Sequence, residues 1–186
     1  MQIKENIETL SGYGVKKIVT GCPHCFNTMK HEYPDFGGNW EIQQAAAFVA
    51  KLRDSGKLQM KPTAPKNIVY HDSCYYARYN DVLAEPRSLI QGIQGATLTE
   101  MDANGKSANC CGAGGGRMWL EEPADQRVNI MRTEQALEKK PDVIATSCPF
   151  CRVMMSSGVN EKGLGEKVQV MDVMEIVAEN LQGPQG

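Results

Sequence analysis

Cysteine is the residue type that most constrains this chain. It occurs seven times in 186 residues, at Cys22, Cys25, Cys74, Cys110, Cys111, Cys148 and Cys151. A chain of this length buries about two thirds of its unfolded surface, so it does not need disulfides to fold. The number of cysteines is odd, and the charged first ten residues do not form a secretory signal. Metal ligation or thiol redox chemistry is therefore the better interpretation.

The charge balance argues against nucleic acid as a partner. The chain has 20 Lys and Arg residues against 22 Asp and Glu residues, a net charge of −2. Proteins that bind nucleic acid electrostatically carry a basic excess instead. The longest purely apolar run, Ala45–Ala50, is far shorter than the roughly 18 residues of a membrane helix. We expect a water-soluble cytoplasmic domain that does not bind nucleic acid.

Short apolar segments predict five β-strands, and helical patterns lie between them. The predicted strands are Val15–Thr20, Asn67–Asp72, Ala96–Met101, Val143–Thr146 and Lys167–Met171. The helical patterns are Ala45–Ser55, Asn80–Ile93, Pro123–Lys139 and Asp172–Leu181. Strands that alternate with helices favour an α/β fold with a largely parallel sheet, whose sites form beyond the carboxyl ends of the strands. Four of the five strands lead to a cysteine or a cysteine loop at that edge.

The segments around the two CxxC motifs indicate an internal duplication. A shift of 126 positions aligns Ile18–Cys25 with Ile144–Cys151, and each segment is followed by a second short strand and a helix. With the same shift, partners of Cys74 and Cys110 would fall before residue 1. We therefore expect tandem cysteine-rich βα units. Residues 1–60 would be the C-terminal tail of a first unit and residues 61–186 a complete second unit, in the C-terminal part of a longer protein.

The spacing of the last five cysteines suits a polynuclear metal centre. They follow the pattern C-x35-CC-x36-CxxC. A CxxC at the start of a helix offers two sulfurs to one site, and the exposed N–H groups and the helix dipole favour thiolates. Adjacent Cys110 and Cys111 cannot easily hold one tetrahedral ion together, but they can bind different irons of a cluster. Cysteine thiolates are the usual ligands of iron–sulfur clusters.

These residues resemble a known family. The cysteine pattern and the block Asn109–Glu122, with the sequence NCCGAGGGRMWLEE, are similar to the cysteine-rich CCG domain of heterodisulfide reductase-related iron–sulfur oxidoreductases. The block looks most like the membrane-associated branch linked to electron-transfer flavoprotein. The resemblance covers nearly the whole chain. The family normally carries two such units in tandem, in line with the duplication.

The resemblance implies a 4Fe–4S cluster, which has a non-cubane form with five cysteines in some members. The ligands would be Cys74, Cys110, Cys111, Cys148 and Cys151. Cys22 and Cys25 would be the remnant of a first site, which we expect to be empty, to hold zinc or to oxidise to a disulfide.

Five further residues are expected beside the cluster. They are Gly112, Gly114, Gly115, Arg117 and His71. The glycines let backbone N–H groups approach the cluster sulfurs closely. Arg117 would offset part of the cluster's negative charge, and His71 precedes Cys74 by three residues.

By the same resemblance, the chain would relay electrons through the cluster. The donor would be a flavoprotein such as electron-transfer flavoprotein, or another redox subunit, and the acceptor a quinone or a thiol/disulfide. Ferredoxin-like or membrane segments upstream in the full-length protein, or a partner subunit, would hold it at the cytoplasmic face of the membrane. Two alternatives stay open. One is a heterodisulfide reductase-type cluster that reduces a disulfide substrate, and the other is a zinc-stabilised structural domain without redox activity.

Overall fold

Helices and parallel strands alternate along the chain. The structure, a computed structural model, describes residues 2–123 and 126–182. The strands are β1 (Lys17–Thr20), β2 (Glu41–Gln44), β3 (Lys66–His71), β4 (Ala96–Glu100), β5 (Val143–Thr146) and β6 (Gln169–Asp172). The helices are α1 (Gln2–Gly12), α2 (Pro23–His31), α3 (Ala45–Asp54), α4 (Ala84–Gln91), α5 (Val128–Leu137), α6 (Pro149–Glu161) and α7 (Val173–Glu179). The predicted α/β class with parallel sheets is confirmed.

The strands form two parallel sheets. The larger sheet has the order β4-β3-β5-β6, and β1 and β2 form a separate two-stranded sheet. In the larger sheet β3 and β5 are central, and His71 at the end of β3 is in register with Thr146 at the end of β5. The two loops that leave these strands therefore start side by side at the carboxyl edge.

The core lies on both faces of the larger sheet. Ile68 and Tyr70 of β3 pack against α3, α4 and α7 on one face. Val69 of β3 and Ile144 of β5 pack against α5 and α6 on the other face, where Met155 is fully buried. Alternate residues of a strand point to opposite faces, so a sheet covered on both sides requires the continuous apolar runs seen in the sequence.

The duplicated segments adopt the same local structure. β1, α2, β2 and α3 repeat in order as β5, α6, β6 and α7. Within each copy the two strands pair in parallel, with Ile18 opposite Ile42 and Ile144 opposite Val170. In both copies the first helix begins at the proline of the CxxC motif, because proline is well suited to the first turn of a helix.

Two predicted helices begin later than expected. The helix predicted over Asn80–Ile93 starts at Ala84. A short π-helical turn precedes it, Asp81 has a left-handed φ of 56°, and the Asn80 side chain donates a hydrogen bond to the backbone oxygen of Tyr75. These features interrupt the predicted helix before α4 begins. The helix predicted over Pro123–Lys139 spans Val128–Leu137, and its predicted residues 124 and 125 lie outside the described residues.

Helices α5 and α6 pack closely because of Gly158. A Cβ at this position would lie 2.1 Å from Oγ1 and 2.9 Å from Cβ of buried Thr133. We expect Gly158→Ala to lower the free energy of unfolding by about 1–3 kcal/mol, the usual cost of an overpacked core. Denaturant unfolding measures this loss. Gly12→Ala in α1 is the matched control, because open space surrounds that position and alanine favours a helix. An unchanged stability in the Gly158 variant would contradict the packing described.

Candidate metal centre

Cysteine-bearing loops meet at the carboxyl edge of the larger sheet. β3 leads through Asp72 and Ser73 to Cys74, and β5 leads through Ser147 to Cys148, which is at the N-cap position of α6. Since β3 and β5 are neighbours in register, their loops arrive together. This is the edge at which parallel α/β sheets form their sites.

The CC pair joins the second CxxC motif at this edge. Cys111, Cys148 and Cys151 are buried and form one packed cluster with Met154. Cys110 is exposed beside them, and Cys74 is half-buried. The negative charge of Cys111 acts on Cys74 and on Cys110. The structure thus places the five cysteines predicted as ligands at one edge of the sheet, with the sulfurs of Cys111 and Cys151 within 4.8 Å of each other.

Hydrogen bonds among these thiols control their protonation. Cys110 and Cys151 donate to the sulfur of Cys111 and hold the pKa of Cys111 well below its ordinary value. The pKa values of both donors are raised for the same reason. Cys151 also donates to Cys148 and lowers its pKa, whereas burial raises the pKa of Cys74. These contacts favour the thiolate form of Cys111, the form in which cysteine binds metal.

The glycine loop after the CC pair approaches the site at its first glycine. The N–H of Gly112 donates to Sγ of Cys110 at 3.3 Å. Gly112 has a φ of +87°, and a Cβ there would lie 3.1 Å from the backbone nitrogen of Asn129 in α5. Gly114 and Gly115 have open space around them, and the exposed Arg117 forms an ion pair with Glu122 at 2.5 Å.

His71 and Arg132 form a buried polar pair beside the sulfurs. A ring nitrogen of His71 and the sulfurs of Cys111 and Cys151 all lie within 4.8 Å of one another. Arg132 donates from Nε to Nδ1 of His71 at 3.1 Å and from Nη1 to Oε1 of Gln135 at 2.9 Å. Burial lowers the pKa of Arg132 from its ordinary value.

Arg132 is not among the predicted site residues, although the sequence carries a signal for it. Asn129, Arg132, Thr133 and Ala136 are all buried on α5. Their spacing of i, i+3, i+4 and i+7 is that of the core-facing side of a helix. A charged residue at such a position must find an opposite charge in the interior.

A buried ion pair supports the loop that carries Cys74. Arg87 of α4 donates to the two carboxylate oxygens of Asp72, each at 2.8 Å, and to Glu100 at 2.6 and 2.9 Å. The Asp72 side chain is 1% exposed, and it also accepts the N–H of Gly105 at 2.7 Å. The pair therefore fixes the point where the chain turns from β3 toward the cysteine.

The first CxxC motif lies beside the second across a layer of aromatic rings. The His24 ring packs against Tyr75 at a tilt of 45°, with ring centroids 4.5 Å apart, and edge-on against Phe150 at 5.2 Å. Cys22 is half-buried and Cys25 is exposed. Burial, and then a hydrogen bond with Cys22, raises the pKa of Cys25. The two free thiols are close enough to share a hydrogen bond, as two ligands of one site would be.

The donor set of the complete site fits an iron–sulfur cluster. A structural zinc takes four ligands in a closed tetrahedron, whereas five thiols meet here and two of them are adjacent in the chain. His71 would have to replace a thiol to complete such a zinc site. Its Nδ1 accepts a hydrogen bond from Arg132, so its proton is on Nε2 and neither nitrogen is free to bind a metal.

The comparison with protein families agrees with this site. The profile of the CCG cysteine-rich domain matches residues 2–30 and 68–156. The chain belongs to this family. The two matched segments contain all seven cysteines, so the resemblance stated from the sequence is confirmed.

Relatives of known name are iron–sulfur proteins and oxidoreductases. The chain is 42% identical over 180 residues to the probable iron-sulfur-binding oxidoreductase FadF of Bacillus subtilis, covering 97% of this chain and 26% of FadF. It is 41% identical over 184 residues to the EtfAB:quinone oxidoreductase of Syntrophomonas wolfei, covering 94% of this chain and 25% of that protein.

A third relative comes from the heterodisulfide reductases. The chain is 32% identical over 181 residues to a subunit of the dihydromethanophenazine:CoB–CoM heterodisulfide reductase of Methanosarcina barkeri. The match covers 96% of this chain and 44% of that subunit. This CCG-domain chain thus spans about a quarter of FadF and of the quinone oxidoreductase, and less than half of the heterodisulfide reductase subunit. These relatives imply an iron–sulfur cluster.

Proposed function

We propose that this CCG-domain chain is the iron–sulfur electron-transfer module of an oxidoreductase. It would relay electrons between a flavoprotein and a quinone or thiol/disulfide acceptor. The observation that carries the proposal is the convergence of five thiols at one edge of the sheet, three of them buried, beside a buried cation.

The cluster would be held by the five converging cysteines. The proposed ligands are Cys74, Cys110, Cys111, Cys148 and Cys151. When bound, a 4Fe–4S cluster supplies one-electron oxidation and reduction. The chain's own contribution is to hold these thiolates in place, to donate backbone N–H groups to their sulfurs and to keep water from the buried three. Five thiols suit either a cubane that uses four of them or the non-cubane form of some family members.

We propose that residues 1–60 are the tail of a first CCG unit and that residues 61–186 are a complete second unit. Within the part of the chain that the structure describes, β1 pairs with β2 alone, whereas its counterpart β5 has a strand on each side. None of the residues of α1, Gln2–Gly12, is buried, whereas its counterpart α5 buries five. Cys22 and Cys25 would then belong to a first site, with zinc as a candidate ion for the pair when it stands alone.

The proposed partner is a flavoprotein, and the relatives support this choice. The name of the quinone oxidoreductase specifies EtfAB, and its identity to this chain is higher than that of the heterodisulfide reductase subunit. Among the residues described, no helix combines the length and apolar character that crossing a bilayer needs. We propose a cytoplasmic location, at the face of the membrane where the partner or upstream segments of the full-length protein lie.

The colour of the purified protein tests the proposal. We expect protein purified without oxygen to be brown, with visible absorption that dithionite bleaches and air restores. A zinc-stabilised domain would be colourless under the same conditions, because Zn²⁺ has a filled d shell, and dithionite would not change it, because Zn²⁺ has no redox chemistry. A colourless protein after anaerobic reconstitution with iron and sulfide would contradict the proposed function.

Reduction of a disulfide at the cluster is a second candidate function. The 32% identity to the heterodisulfide reductase subunit favours it, and Cys110 is exposed to solvent beside the buried thiols. One disulfide and two protons would then take one electron from each of two reduced protein molecules and give two thiols, with no partner protein present. A pure relay would show no such transfer.

A further inference from the structure

We infer that Arg132 is the buried countercharge of the cluster and fixes His71 as a hydrogen-bond donor to the sulfur site of Cys111 and Cys151. This inference rests on the proposed function and deepens it, because it names residues that set the reduction potential. Neither residue is a ligand. Both act by position, Arg132 through its charge and through His71.

The charge of Arg132 needs a partner that the thiolates provide. A guanidinium is always protonated, and an unpaired charge in the interior is strongly unfavourable. Arg132 is fully buried, and it makes no ion pair with a carboxylate of residues 2–123 or 126–182. Of the groups that act on Arg132, Asp72 is already bound by Arg87, and the others are the sulfurs of Cys111 and Cys151. When these sulfurs bind the cluster as thiolates, they are the negative charge that remains for Arg132.

Arg132 also determines which nitrogen of His71 carries the proton. Its Nε–H donates to Nδ1 of His71 at 3.1 Å. Nδ1 must therefore present a lone pair, and the ring is neutral with its proton on Nε2. Nε2 is buried and finds no hydrogen-bond acceptor in the described part of the chain. With the sulfurs of Cys111 and Cys151 nearby, a cluster sulfur or thiolate is the acceptor that this proton lacks.

Both effects favour the reduced state. Reduction adds one negative charge to a centre that is already anionic, so a fixed positive charge and a hydrogen-bond donor stabilise the reduced form. Removal of either should lower the midpoint potential. Groups that faced away from the site would leave the midpoint potential nearly unchanged when removed.

The test is a redox titration of the loaded wild-type chain and four variants. At the wild-type midpoint potential, we expect Arg132→Met to lower the ratio of reduced to oxidised cluster at least tenfold, a shift of about 59 mV for one electron. Arg132→Lys keeps the charge and should stay within about threefold. The ratio of reduced to oxidised cluster in the His71→Phe variant should fall between those of the two Arg132 variants. This variant should also lose an exchangeable-proton coupling seen by electron–nuclear double resonance in H2O but not in D2O.

The matched control is Arg152→Met. Arg152 directly follows Cys151 but is exposed and paired with Glu175 at 2.9 Å. Its removal should change the ratio less than about twofold, because water screens its charge. Equal shifts in the Arg132→Met and Arg152→Met variants would overturn the inference, since they would reflect net charge alone. A loaded Arg132→Met protein that titrates like the wild type would also overturn it.

Loss of the cluster in a variant is informative as well. If Arg132→Met does not bind iron, Arg132→Lys decides, because only the countercharge role predicts that lysine restores loading. Failure of a folded Arg132→Lys protein to load would overturn the inference, while the loaded wild type would leave the proposed function standing. A wild-type chain without a cluster would overturn both.

Discussion

Cys111→Ser is expected to abolish cluster binding, reducing iron from about four atoms per chain to less than one. Cys111 is at the centre of the thiol set: it is buried, it accepts hydrogen bonds from Cys110 and Cys151, and its charge acts on Cys74. Serine is a poor replacement, because a hydroxyl does not ionise under the conditions in which a thiolate forms. Iron and sulfide analysis with the visible spectrum measures the loss.

Cys22→Ser is the matched control for this variant. It removes a cysteine from the other CxxC motif, across the aromatic layer of His24, Tyr75 and Phe150. We expect its iron content and spectrum to match those of the wild type. An unchanged spectrum in the Cys111 variant would contradict the five-cysteine assignment. Loss of the spectrum in the Cys22 variant would show that the first motif takes part in the complete site.

Arg87→Met should lower the free energy of unfolding by about 3–5 kcal/mol, the cost of leaving a buried charge without its partner. Asp72 is 1% exposed, and two of its hydrogen bonds come from Arg87. Methionine would still cover the ring of Tyr70, over which the guanidinium lies at 4.9 Å, so lost packing contributes little. Unfolding by urea, followed by circular dichroism, measures the change.

The control for Arg87 is Arg152→Met. Both the Arg152 and the Glu175 side chains are more than 40% exposed, and exposed ion pairs contribute about 0–1 kcal/mol. We expect a loss within that range for the control. A loss of less than about 1 kcal/mol in the Arg87 variant as well would show that Asp72 is not a buried charge that depends on this arginine.

Much of the fold could be predicted from local sequence signals. β5 has the predicted bounds, Val143–Thr146, because a short apolar run between turn residues is a strong signal for a buried strand. The cap of α7 was also predictable: Asp172 accepts the N–H of Met174 and forms a capping box with Glu175. The start of α4 was not, because Asn80 side-chain contacts and the left-handed Asp81 are tertiary details.

The candidate site was predictable only where it is made of cysteine. The cysteine spacing and the predicted strand ends indicated that the five proposed ligands lie at one edge of the sheet, because the carboxyl ends of parallel strands share an edge. The charged residues around the site were harder to predict. The sequence favoured Arg117 as the cation near the cluster, since it follows the glycine run. In the structure Arg117 is exposed and paired with Glu122, and a second arginine, Arg132, is buried beside His71. The position of Arg132 depends on how α5 packs on β3. This packing brings Arg132 beside His71, which is 61 positions away in the chain.

The proposed cluster is best tested by a count of iron, zinc and acid-labile sulfide per chain, on protein purified or reconstituted without oxygen. We expect about four irons with matching sulfide, lost in Cys111→Ser and kept in Cys22→Ser. Zinc without sulfide, persisting after reconstitution with iron and sulfide, would contradict this expectation. Such a result would make this CCG-domain chain a zinc-stabilised structural domain.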